Sequence, residues 1–138
     1  MKKSIFFLLA IVFCFYSCGS GAYNKTLNGG YFLSALNNME DMYLGYQDGE
    51  NGIGIITATV FAVGQNDDYI ILKQHPRDFP NKPDKSIVNF YLIPLKSNIS
   101  KSIDKNYYGP LTLREFEQKK KELGIKNIEF NKVFSSLE

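Results

Sequence analysis

"IGIITATVFAVG", residues 53–64, is the stretch whose reading decides the fold. In an extended chain successive side chains alternate between two faces. Ile53, Ile55, Thr57, Thr59, Phe61 and Val63 then point one way, and Ile56, Ala58, Val60 and Ala62 the other. Both sets are apolar enough to be covered, so the run Ile53 to Val63 reads as a central strand. A strand of that length implies a sheet that bends or partly closes on itself.

The flanking sequence repeats the pattern. Gly30 to Leu36, Met42 to Tyr46, Tyr69 to His75 and Ile87 to Leu95 are rich in β-branched and aromatic residues. Asn37-Asn38, Asp48-Gly49-Glu50-Asn51-Gly52 and Gly64-Gln65-Asn66-Asp67-Asp68 supply turn residues between the first four runs. Connections this short join antiparallel neighbours, because a parallel pair needs a crossover of about a dozen residues or more. Tyr23 to Asn28 reads either as a linker or as a first edge strand.

One helix follows, in "YYGPLTLREFEQKKKELGI". Thr112 and Glu115 have the spacing of a capping box, and Leu111 and Phe116 that of a hydrophobic staple. Leu113, Phe116 and Leu123 are expected to share the buried face. Gly124 is placed to end the helix in the left-handed region, with Ile125 packing back. Lys119, Lys120 and Lys121 suit the negative end of the helix dipole and are expected to pair with Glu115 and Glu117.

The amino terminus reads differently. Lys2 and Lys3 precede the apolar run Ile5 to Tyr16, followed by small residues: the layout of a secretory signal. As a helix that run reaches roughly 18 Å, short of a hydrocarbon core of about 30 Å. Phe15-Tyr16-Ser17-Cys18 resembles the lipobox of bacterial lipoproteins. The resemblance implies cleavage between Ser17 and Cys18, diacylglycerol on the Cys18 sulfur and a further fatty acyl group such as palmitate on the freed amine. Tyr16 is bulkier than that pattern prefers. A Cys14–Cys18 disulfide would close a tiny loop, and Cys-x-x-x-Cys is not the redox spacing. The expected organisation is a signal peptide at 1–17, a lipidated cysteine and tether at 18–28, and a single domain at 29–138. Loss of 1–17 removes Lys2 and Lys3, the excess of the 16 basic over the 14 acidic residues. A near-neutral domain argues against nucleic acid, which demands a concentrated basic surface.

"DDYIILKQ", "NFYLIPL" and the Gly-Pro-Leu-Thr helix ending in Leu-Gly-Ile together resemble small bacterial lipoproteins of an uncharacterised family, a domain of unknown function. The likeness spans Tyr43 to Phe130 and its motifs are structural, so it implies a fold and no activity.

Chemistry is sparse. His75, the chain's one histidine, sits in "KQHPRDF" with Asp78 nearby, and the pair is the candidate pocket, His75 as general base oriented by Asp78. No Gly-x-Ser-x-Gly and no reactive cysteine supplies a nucleophile. The Asp48–Gly52 turn and Asp67-Asp68 lack calcium-loop spacing. Tyr31, Tyr43, Tyr46, Tyr69, Tyr91, Tyr107 and Tyr108 fit a sugar or peptide site and equally fit half-covered strand faces.

The reading is therefore an α+β domain, a curved antiparallel sheet (a meander, with barrel closure as the alternative) carrying one C-terminal helix. It assigns no catalytic residue, cofactor or metal. The expected role is a non-enzymatic binding module in the cell envelope, anchored to the outer or cytoplasmic membrane through lipid on Cys18 and facing away from the cytoplasm. An envelope protein adding a strand to a sheet edge is the expected partner. The alternative is a small envelope hydrolase or ligand-binding enzyme using the His75 loop.

Overall fold

The computed structural model describes residues 22–95 and 106–138. Cys14, Ser17, Cys18 and the signal segment lie outside the described residues. β1 (Tyr23–Thr26), β2 (Tyr31–Ala35), β3 (Tyr43–Asp48) and β4 (Asn51–Ile56) form a four-stranded antiparallel sheet in sequential order. β5 (Val60–Gln65), β6 (Tyr69–Gln74), β7 (Asn89–Pro94), β8 (Tyr108–Leu111) and β9 (Lys132–Val133) form a five-stranded antiparallel sheet in the order β8-β7-β6-β5-β9. Helix α1 (Leu113–Glu122) follows β8. The class is α+β, as expected, and among the described residues no barrel closes. Tyr23–Thr26 takes the edge-strand alternative, pairing with β2 from Tyr23↔Ala35 to Thr26↔Phe32.

The run Ile53 to Val63 is not one central strand. It divides at Thr57-Ala58-Thr59, where the Ala58–Thr59 peptide is cis, into β4 at the edge of the first sheet and β5 inside the second. Side-chain and backbone bonds hold the crossover. Thr59 is buried; its hydroxyl donates to the Glu40 carbonyl at 2.5 Å, and it exchanges backbone bonds with His75 at 3.0 Å each way. Gln74, also buried, spans the gap. Its amide nitrogen donates to the Thr57 carbonyl at 3.0 Å, and its amide oxygen accepts from Asn89 Nδ2 at 3.0 Å.

The result is three layers rather than one curved sheet with a helix. The first sheet turns Tyr31, Leu33, Ala35, Leu44 and Ile56 onto the second, which answers with Val63, Ile70, Leu72, Tyr91 and Ile93. Pairing of Ile70 with Ile93 and of Leu72 with Tyr91 keeps those four on one face. The intervening Ile71, Phe90 and Leu92 face the other way and pack on Phe116 and Ile128. The second sheet is thus apolar on both sides, a middle layer between the first sheet and α1.

Helix α1 begins and ends as its sequence demands. Thr112 Oγ1 accepts from the Glu115 N–H at 3.3 Å, and Glu115 Oε2 accepts from the Thr112 N–H at 2.8 Å. Gly124 has φ 67°; its N–H reaches the Lys121 carbonyl at 3.1 Å while Ile125 reaches Lys120 at 2.9 Å, a Schellman ending. One expectation fails, and another holds for Glu117 but not for Glu115. Leu113 is 58% exposed, because Phe116 with Leu111 and Leu123 already covers the Ile71–Phe90–Leu92 face. Lys119 pairs with Glu122 at 2.5 Å and Lys120 with Glu117 at 3.3 Å, whereas Glu115 is held by Thr112.

Candidate functional site

The loop after β6 carries the sequence-predicted candidates, and it does not bring them together. His75 is 3% exposed. Its ring stacks on Phe61 with centroids 4.1 Å apart and planes 11° apart, and Nδ1 lies 2.8 Å from the Ile87 carbonyl. A carbonyl accepts, so Nδ1 carries the proton and Nε2 the lone pair. Nε2 is buried with no partner among the described residues. A general base needs that lone pair open to substrate. Asp78 is exposed, and Ile87, not Asp78, fixes the imidazole. The acidic residue beside this loop with altered ionisation is Asp84. The Ser86 hydroxyl and N–H hold its carboxyl below the usual value.

What the loop does build is a cleft. Arg77, with its side chain 9% exposed, reaches across to the turn before β3, where Nη1 meets Asp41 Oδ1 at 2.7 Å; its Nε donates to the Asn81 carbonyl at 2.8 Å. Glu40 lies 4.0 Å from Nη2. Asp41 is itself the N3 residue of a capping box with Asn38, so the ion pair joins two locally fixed turns. Phe79, 79% exposed, stands 5.9 Å from the guanidinium. Between them and β4 lies a cleft of about 390 Å³, bordered by Tyr43, Gly54, Ile56 and Thr57. Lys85 Nζ ties the same loop to the C-terminus through the Glu138 carbonyl at 2.8 Å.

A second concavity, about 530 Å³, lies on the outer face of the first sheet and shares Tyr43 with the first. Asn24, Thr26, Phe32, Ser34 and Gln47 contribute to it. The tyrosines named from the sequence therefore divide. Tyr31 and Tyr91 are core residues, and burial, with Tyr46 and Tyr107 beside them, pushes both phenols up. Tyr108 sits under Lys119, whose Nζ is 5.0 Å from its ring. Tyr43 alone of the seven borders either cleft through a side chain that points away from the core. Arg77, Phe79 and Phe32 escaped sequence reasoning, although glycines inside strands ("YLGY", "GIGI") signal places where something lies close to the backbone.

Among the described residues no group of three His, Cys, Asp or Glu side chains is arranged to hold a metal ion. The family model described as a protein of unknown function (DUF3997) matches residues 28–134. The chain belongs to the DUF3997 family. The match begins just after β1 and runs through β9, so the DUF3997 unit contains β2 to β9, the helix and most of both clefts, with β1 outside it. No curated protein and no solved structure matches the chain.

Proposed function

We propose that this DUF3997 protein is a lipid-anchored component of the cell envelope whose folded part is a non-enzymatic binding module. The observation that carries the anchor is the order Lys2-Lys3, apolar Ile5 to Tyr16, Ser17-Cys18, Gly19-Ser20-Gly21. Processing before Cys18 discards Cys14 and blocks the remaining thiol. Three acyl chains hold a protein far more firmly than one, which binds marginally. From Cys18 the chain reaches Tyr23, the first residue of β1, in five steps, about 18 Å at full extension, so the first sheet is kept close to the surface. Among the described residues no helix is long and apolar enough to cross a membrane.

The binding role is supported by the clefts around Tyr43 and by the state of the lone histidine, whose Nε2 is sealed from substrate. A second reading, strand addition by an envelope protein, is favoured by β4, an edge strand exposed from Asn51 to Gly54. The test of the anchor is metabolic labelling with a fatty acid in a bacterial host. Label is expected in the wild-type chain and absent from Cys18→Ala. Equal labelling of both, or of neither, would defeat it.

A further inference from the structure

Register decides which side chains share the outer face of the first sheet. Asn24, Ser34 and Tyr43 stand in one cross-strand row, and Thr26, Phe32, Gly45 and Gly54 in the next. Their neighbours Leu33 and Leu44 go to the core, so these rows look outward. Phe32 lies down on the glycines. A Cβ on Gly45 would overlap its Cζ and come within 2.7 and 2.8 Å of the two Cε atoms, the near-equal spacing of a point above the ring's face. A Cβ on Gly52 would stand 3.2 Å from the same Cζ. Tyr43 stands on edge beside it, centroids 6.0 Å apart and planes at 79°.

The rim of this floor is polar and uncharged: Asn24, Thr26, Ser34 and Gln47. Ser34 is 7% exposed, yet its hydroxyl, like the side chains of Asn24 and Thr26, has no hydrogen-bond partner among the described residues. An unpaired hydroxyl that solvent still reaches, on a residue that lines the cleft, opens into that cleft. An aromatic floor offers the C–H faces of a pyranose ring a dry surface, while amides and hydroxyls match its equatorial hydroxyls as donors and acceptors. A phosphate or sulfate would want a cation here, and a lipid tail would leave the rim unpaired.

We propose that this face binds a neutral oligosaccharide, which names the ligand class of the binding module proposed above. The floor continues past Tyr43 to Phe79 and Thr57 in the adjoining cleft, room for more than one sugar unit, and the Asp41–Arg77 pair at its far end is internally neutralised.

The experiment uses the full chain in a sugar-free detergent, wild type and Cys18→Ala, titrated with neutral oligomers of N-acetylglucosamine, cello-oligosaccharides and malto-oligosaccharides. A sulfated oligosaccharide and an uncharged peptide serve as controls. Calorimetry and the aromatic proton resonances of Tyr43 and Phe32 report binding. Saturable binding of a neutral oligosaccharide is expected, equal in wild type and Cys18→Ala, so loss of the anchor and loss of the ligand are separately visible. Asn24→Ala and Ser34→Ala are expected to melt as wild type and to weaken binding about fivefold each. The proposal is overturned by no response to any neutral oligosaccharide, by binding of the peptide or the sulfated control alone, or by binding that neither substitution alters.

Discussion

Gln74→Met tests the joint between the two sheets. Methionine keeps the length and roughly the volume of the side chain, so packing is conserved while every polar bond is removed. Three bonds matter. The amide nitrogen loses the Thr57 carbonyl at 3.0 Å, and the amide oxygen abandons Asn89 Nδ2 at 3.0 Å and the Tyr91 hydroxyl at 3.4 Å. At about 1 kcal/mol per net hydrogen bond the first two account for roughly 2 kcal/mol. The Tyr91 hydroxyl is buried, and stranding it adds about 1 kcal/mol more. A loss near 3 kcal/mol is a large part of the ~5–15 kcal/mol that holds a domain together. With a urea m-value of about 2 kcal/mol/M the midpoint falls by roughly 1.5 M at unchanged slope. The assay is urea unfolding of residues 18–138 carrying Cys18→Ala, followed by circular dichroism. A midpoint within about 0.3 M of the parent would mean that Gln74 does not clamp the crossover, and the bond-by-bond reasoning fails.

Phe116→Ala removes the ring that joins α1 to Phe90 and Phe130, 5.2 and 6.0 Å away, and is expected to lower unfolding free energy by about 3–5 kcal/mol in the same titration. Acid should loosen the start of α1. The Thr112 N–H and hydroxyl hold Glu115 below the ordinary glutamate value, so its contribution is complete above that value and fades as pH falls through the lowered one. Glu115→Gln is expected to flatten that acid slope in a pH series of thermal melts, and an unchanged slope would count against the capping box as its source.

Much of the fold was legible because local rules agreed with the tertiary outcome. The helix carries its own start and stop, and β2, β3, β6 and β7 each lie within two or three residues of their alternating runs. The run 53–63 misled for a physical reason. Two sheets packed face to face share one core, so Ile56 before the crossover and Val60 after it both turn inward, and the apolar pattern continues across the break. Thr57-Ala58-Thr59 contains no glycine, proline or asparagine to mark the change. β8 was hidden because Gly109 and Pro110 are poor strand formers and the stretch reads only as the approach to the helix; a proline is tolerated there because β8 is an edge strand. The candidate site was less visible. Its floor arises from pairing Phe32 with Gly45 across strands, and Arg77 meets Asp41 across 36 positions, neither of which has a local signature. His75 attracted attention by its chemistry alone, and the fold used it as a stacked, hydrogen-bonded core residue.

The central claim is that a folded binding module is held at a membrane by the sulfur of Cys18. Intact-mass and peptide mass spectrometry of the protein purified from bacterial membranes tests it in one step. The account predicts a chain that starts at Cys18 and carries the added mass of diacylglycerol and an amide-linked fatty acid. A chain that keeps Met1, or one that begins at a later residue with no acyl mass, would contradict it.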